Sequence, residues 1–286
     1  MKRLICFLTL TAGLAAGALL FVSPRASAIT YGFVDSNNTF RNTGAFIVKS
    51  PTGEILPICS GTMITANVFL TASHCTLFFE QDLAPQGYTA YVSLDSSIPF
   101  GSLTSNNTNL LAVSNVVSNP NYSQRQSDPG DIAVLILEQN VSVTPATLPT
   151  CGLLDQLSKQ NGLKNAVFTN AGYGIQNRVV GGGTPFFQDL NPVPRMFSFS
   201  RFNSLNGGYL RLSQNPSTGN GGTCFGDSGG PNFLTVNGQQ LIVSITITGD
   251  SVCRSTNVAY RLDTASAQGF LASVNTAFGT SIPISC

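Results

Sequence analysis

The sequence predicts an all-β protein, a sandwich or barrel, with one helix near its C-terminal end. Three observations lead there. Short runs rich in β-branched and aromatic residues recur between turn clusters. Only one segment carries a convincing helical period. Strands and helices do not alternate, which argues against a parallel α/β sheet.

Taken in order, residues 1–28 read as a secretory leader. Lys2 and Arg3 make a basic start, Leu4 to Val22 is apolar and uncharged, and Ala26-Ser27-Ala28 offers the small residues a signal peptidase accepts. A membrane anchor is the alternative, since the stretch could just cross a bilayer. Gly13 and Gly17 interrupt it, and the small-residue site follows where a leader needs one. Cleavage after Ala28 leaves Ile29 first and discards Cys6, so that six of the seven cysteines remain, a number suited to an oxidising, secreted or periplasmic location.

Strands are expected over Ala45–Lys49, Gly61–Thr65, Val68–Thr71, Tyr88–Leu94, Asp131–Leu137, Ala166–Ala171, Leu241–Thr248 and Val258–Leu262. Around Thr144 to Cys151, prolines and threonines separate two strand-rich halves, 29–150 and 151–286. The closing helix is carried by Phe270, Val274 and Phe278, with Asp263 or Thr264 placed to cap its start and Gly279 to stop it. Asn37, Asn106, Asn121 and Asn140 match the N-glycosylation pattern, which an Asn-rich chain also produces by chance.

Composition narrows the function. The chain has 286 residues, 42% hydrophobic and only 9% charged, with a formal net charge of +1. It can bury a sizeable core, and it holds no run of like charges to track a nucleic acid or an anionic membrane. One histidine limits any imidazole chemistry to one position, His74.

Three segments set a polar residue in an apolar or glycine-rich context: Thr71-Ala72-Ser73-His74-Cys75, Gly130-Asp131-Ile132-Ala133-Val134-Leu135, and Cys224-Phe225-Gly226-Asp227-Ser228-Gly229-Gly230-Pro231. Each piece alone has a structural reading: a core histidine, a strand-capping aspartate, a glycine turn. Together they meet the needs of a serine hydrolase. A hydroxyl needs a base to take its proton, and an imidazole suits that task. A buried carboxylate then fixes the ring's tautomer, and glycines beside the serine let backbone N–H groups converge on an oxyanion. The segment Gly226-Asp227-Ser228-Gly229-Gly230 also matches the nucleophile elbow of α/β-hydrolases, but that order requires a histidine after Ser228 and the chain has none. A subtilisin-like order needs an acid before His74, where Asp35 and Glu54 stand, yet that fold needs alternating strands and helices.

These motifs, in the order histidine, aspartate, serine, resemble those of the chymotrypsin-like, trypsin-superfamily serine proteases, and they run through most of residues 29–286. Ser73 departs from the pattern, where alanine is more usual. The resemblance implies two antiparallel six-stranded β-barrels with a C-terminal helix, and a secreted, monomeric endopeptidase with polypeptide substrates and protein inhibitors as partners. It implies His74, Asp131 and Ser228 as the catalytic triad, and the N–H groups of Gly226 and Ser228 as the oxyanion hole. A non-catalytic binding protein on the same fold is the rival, but such proteins usually lose a triad residue.

Six cysteines allow fifteen pairings, and sequence alone does not choose among them. The resemblance implies Cys59–Cys75, Cys224–Cys253 and, by remainder, Cys151–Cys286. No cofactor or metal is expected: there is no CxxC for zinc, and Glu80 with Asp82 lacks the third oxygen ligand of a calcium loop.

Two further expectations come from the family's pattern. A freshly cut N-terminal amine pairs with the aspartate before the catalytic serine in many relatives, here Ile29 with Asp227. The primary pocket has its base at Gly222 and its wall at Thr248 and Gly249. An acid at the base would select lysine or arginine; Gly222 implies an uncharged residue before the scissile bond. Asp250 would change that if its loop folds inward, and Ile247-Thr248-Gly249 replaces the usual Ser-Trp-Gly string.

Overall fold

The computed structural model describes residues 29–99, 108–123, 127–178, 186–188 and 190–286. The expected leader, with Cys6, and the Asn106 glycosylation match lie outside them. In chain order the first strands are β1 (Phe33–Val34), β2 (Thr43–Lys49), β3 (Ile55–Met63), β4 (Val68–Thr71), β5 (Thr89–Ser93), β6 (Ser97–Ile98), β7 (Leu111–Ser118) and β8 (Ala133–Leu137). There follow β9 (Val167–Gly172), β10 (Gln176–Arg178), β11 (Phe186–Gln188), β12 (Val193–Pro194), β13 (Met196–Leu205), β14 (Tyr209–Ser213), β15 (Pro231–Val236), β16 (Gln239–Gly249) and β17 (Thr256–Arg261). The α-helices are α1 (Ser73–Phe78), α2 (Leu153–Lys159) and α3 (Ala265–Phe278).

Six antiparallel strands close the first barrel in the order β2-β3-β4-β8-β7-β5, with β5 returning to β2. The second closes as β13-β14-β17-β16-β15-β9, β9 returning to β13. Alternation along β2 explains how one strand serves two surfaces. Phe46 and Val48 enter the main core, whereas Ala45 and Ile47 join Ile55, Ile98, Tyr173 and Val193 in a cluster shared by residues from both halves. The chain's entry also crosses over: β1 pairs with β13, Phe33 opposite Phe197.

The second barrel is apolar at one end and polar at the other. Phe168, Leu210, Leu212, Leu234, Leu241 and Val243 pack with Leu153 and Leu154 of α2. Further along the barrel the buried residues include Asn170, Ser198, Ser200, Asn232 and Ser244, with Asn170 opposite Asn232 and Asn232 opposite Ser244. The Asn170 Nδ2 donates to the hydroxyls of Ser198 (3.2 Å) and Ser200 (2.6 Å), so the amide protons keep hydrogen bonds on burial.

The closing helix forms as its residues dictate. Thr264 caps it, its hydroxyl accepting from the Ala267 N–H at 3.1 Å, and Gly279 ends it at φ 63°. Phe270 and Val274 are buried, while Phe278 is exposed. Seven of the eight expected strands coincide with β2, β4, β5, β8, β9, β16 and β17; Gly61–Thr65 overlaps only the end of β3. Four longer strands, β7, β13, β14 and β15, and the short helices α1 and α2 were not expected.

Buried charge ties the parts together. Arg195, fully buried, gives its Nε–H to Asp35 at 2.9 Å, its Nη1 protons to the carbonyls of Thr43 and Leu94 and to the Tyr173 hydroxyl, and its Nη2 to Asn38. Burial disfavours the Asp35 charge, but the N–H groups of Phe40 and Thr39 and the Arg195 guanidinium hold its carboxyl below the usual range. Disulfides join Cys59 to Cys75, Cys151 to Cys286 and Cys224 to Cys253.

Candidate active site

The first half of the site is built where β4 runs into α1. A helix start leaves its first N–H groups without intrahelical partners, and Ala72, at the cap position, has no side chain to offer. The Asp131 carboxylate, arriving just ahead of β8, fills that role: Oδ1 accepts the His74 backbone N–H at 2.9 Å, and Oδ2 meets the ring Nδ1 at 2.8 Å. One carboxylate therefore sets both the backbone and the ring of His74. Asp131 is nearly sealed, with 6% of its side chain exposed, while the histidine keeps 31% and faces the surface. Its Nε2 lies 3.5 Å from the Cys75 sulfur.

Ser73, the departure from the usual alanine, is fully buried and braces this unit. Its hydroxyl donates to the Ile132 carbonyl at 2.7 Å and accepts the Asn119 N–H at 2.9 Å. Asn119 in turn donates to the Gly130 carbonyl at 2.9 Å, so both flanks of Asp131 are held.

The second half is the turn from Cys224 to Pro231. Asp227, with no exposed surface, accepts the Gly174 N–H at 2.8 Å and the Cys224 N–H at 2.9 Å. Burial outweighs those two bonds and pushes its carboxyl up to about 7. Gly226 and Gly229 take φ of 94° and 78°, which side chains rarely adopt. At Gly229 a side chain is excluded twice over, because a Cβ would stand 2.1 Å from the Thr71 hydroxyl oxygen and 2.9 Å from the Ala72 nitrogen. The residue after Ser228 is thus seated against the strand end that leads into His74. From the first barrel, the Ser60 N–H donates to the Ser228 carbonyl at 2.8 Å.

Beside Ser228 opens a cavity of about 300 Å³, walled by Thr223 to Phe225 and by residues 246–251 with Cys253. Thr248 and Gly249 line it, as does Asp250. Gly222 does not. It lies behind the wall under Gln214, whose atoms would be 2.0 Å from a Cβ there, and it bonds forward to the chain's entry, its N–H donating to the Thr30 carbonyl at 2.9 Å. Gln214 bridges the two walls, accepting the Thr223 N–H at 2.9 Å and donating to Asp250 at 3.2 Å. Asp250 also accepts the N–H groups of Arg254, Ser255 and Thr256. Burial opposes its charge, but these donors win and lower its pKa. Ile29 is fully buried against Met196.

Cys59, His74 and Cys75 cluster closely, but both sulfurs are spent in one disulfide and cannot serve as thiolate ligands. Among the described residues no helix is long and apolar enough to cross a membrane. Gln214, Ser60 and the Tyr173–Gly174 corner were not anticipated. Gln214 sits fourteen positions before Ser228 with no motif around it, and Ser60 is marked only by its neighbour Cys59.

A family model described as Trypsin matches residues 31–268. Among curated proteins, the chain is 25% identical over 224 residues to a CLIP domain-containing serine protease B15 of Anopheles gambiae, covering 73% of this chain and 60% of that one. It is 36% identical over 87 residues to a venom peptide isomerase heavy chain of Agelenopsis aperta, covering 30% of this chain and 33% of the other. In both cases the match spans less than two thirds of the relative's own length.

Proposed function

The chain belongs to the trypsin family of serine proteases, and from that premise we propose that it is a secreted endopeptidase working through His74, Asp131 and Ser228. The observation that carries this reading is the doubly bonded His74–Asp131 pair, with the serine turn seated against the same strand end. Nδ1 is committed to Asp131, which leaves Nε2 to act as base. Ser228 Oγ attacks the peptide carbonyl carbon as its proton passes to Nε2. The C–N bond breaks as that proton moves to the leaving amine, and water then repeats the sequence on the acyl-enzyme. The N–H groups of Gly226 and Ser228 hold the oxyanion, a contribution of about 3 kcal/mol per donor.

The Ile29 amine, once freed by leader removal, pairs with Asp227. Support comes from the burial of both residues and from a carboxyl that desolvation pushes up to about 7, so that a nearby cation would be strongly bound. The side chain before the scissile bond is uncharged. The oxygens of Asp250 are engaged by the 254–256 turn and Gln214, and the rest of the cavity lining is uncharged, including Thr223, Phe225, Ile247 and Thr248.

A fluorophosphonate probe tests the reading. Labelling of Ser228, lost in Ser228→Ala and His74→Ala, is the expected result. An unlabelled but folded chain overturns it and leaves the binding-protein alternative.

A further inference from the structure

Ser60 is a buried residue of β3, in the first barrel, yet three of its contacts are to the second. Its hydroxyl donates to the Gly226 carbonyl at 2.9 Å and accepts the Tyr173 N–H at 3.0 Å. Its backbone N–H donates to the Ser228 carbonyl at 2.8 Å. Its own carbonyl accepts the Thr71 hydroxyl at 2.9 Å, and its neighbour Cys59 is bonded to Cys75, beside His74. One residue thus grips the carbonyls of both Gly226 and Ser228 and is itself fixed to the histidine segment.

That geometry matters because of what glycine permits. Gly226, at φ 94°, can turn either of its flanking peptide planes at little steric cost. A hole that stabilises a developing oxyanion works only if its donors are already aimed. The Gly226 carbonyl belongs to the 226–227 peptide, which links the two donor-bearing peptides, 225–226 and 227–228. Fixing it removes one of the two rotations at Gly226, the Ile175 N–H holds the other plane through the Phe225 carbonyl at 2.7 Å, and the Ser228 bond fixes the far side of the turn. The Tyr173 N–H completes the brace, and the next N–H, that of Gly174, holds Asp227 at 2.8 Å.

We infer that Ser60 is a positioning residue for the oxyanion hole, its hydroxyl holding the 226–227 peptide, which joins the two donor-bearing peptides, in the orientation the reaction needs. This rests on the catalytic reading above. Ser60→Ala keeps the backbone bond to Ser228 and removes only the hydroxyl. The expected loss is about tenfold in kcat, the size that one hydrogen bond carries, with KM little changed.

The deciding readout compares an ester substrate with the matched thionoester, whose sulfur accepts hydrogen bonds poorly. Ser60→Ala is expected to slow the ester while sparing the thionoester, so that their rate ratio falls about tenfold. Ser60→Gly, which also lacks the hydroxyl, serves if the alanine variant does not fold. Equal slowing of both substrates, or no slowing, overturns the inference. If the unsubstituted chain hydrolyses neither substrate and takes no fluorophosphonate, it is the catalytic reading that has failed.

Discussion

Asp131 holds His74 by two atoms at once, the backbone N–H at 2.9 Å and the ring Nδ1 at 2.8 Å. The backbone bond is a helix cap as much as a catalytic feature, because it satisfies an N–H that α1 leaves free. Asp131→Asn should therefore show two separable losses. Catalysis falls by about 10⁴ in kcat, as it does when a triad histidine takes the wrong tautomer. Stability falls by about 1 kcal/mol as the charge-assisted bond to the His74 N–H becomes a neutral one. Steady-state kinetics and urea midpoints on the same variant measure both.

Ser73 gives a second, milder case. Ser73→Ala deletes a fully buried hydroxyl bonded to Ile132 and Asn119 and leaves both partners unmet. The expected cost is about 1–3 kcal/mol in unfolding free energy, with a several-fold drop in kcat as the Asp131 segment loosens. Restored stability in Ser73→Thr, paired with full loss in Ser73→Ala, would tie the effect to the hydroxyl.

The Asp227 carboxyl sets a pH dependence whose sign is fixed. Its pKa is raised from 3.8 to about 7 by burial, so the folded chain binds a proton that the unfolded chain has released. With the Ala28–Ile29 bond intact, stability should fall as pH rises from about 4 to about 7 and level off above. Subtracting the profile of Asp227→Asn isolates this slope in urea titrations. In the chain that begins at Ile29 the amine holds Asp227 ionised, so the slope should vanish. Activity then persists below the ordinary amine pKa of about 8 and is lost as pH rises through the raised value. An extended form with full activity would count against the pairing.

The cavity yields a prediction about engineering. Gly222→Asp, the change that would place an acid at the expected pocket base, should not by itself create lysine or arginine preference. Its Cβ meets Gln214 at 2.0 Å, and the result is a destabilised protein, by about 1–3 kcal/mol for an overpacked core. Combined with Gln214→Gly, the acid gains space and cleavage after basic residues should appear. A peptide library cut by the parent, the single and the double variant would show it.

How far the sequence spoke depends on which face of each strand it was asked about. Val68–Leu70 and Ile132–Leu137 are apolar throughout and buried throughout, so the first barrel's centre was legible. β13 reads Met-Phe-Ser-Phe-Ser-Arg-Phe, with Ser198 and Ser200 inside and Phe199 outside, the reverse of the alternation that marks a strand facing an apolar core. The partner of both serines is the buried Asn170 of β9, and pairing at that distance along the chain leaves no local trace. For the same reason the three motifs announced His74, Asp131 and Ser228, while Gln214 and Ser60 stayed silent. Their importance lies in what the second barrel brings to them.

Arg195 has a consequence for how the protein comes apart. Its guanidinium is shared by the entry segment (Asp35, Asn38), the first barrel (Thr43, Leu94) and Tyr173 at the end of β9. Separating the two barrels would strand a desolvated cation, which makes partial unfolding costlier than unfolding as a whole. Melting should accordingly be one cooperative event: a single calorimetric endotherm, which Arg195→Met would split by letting each barrel lose its structure at its own temperature.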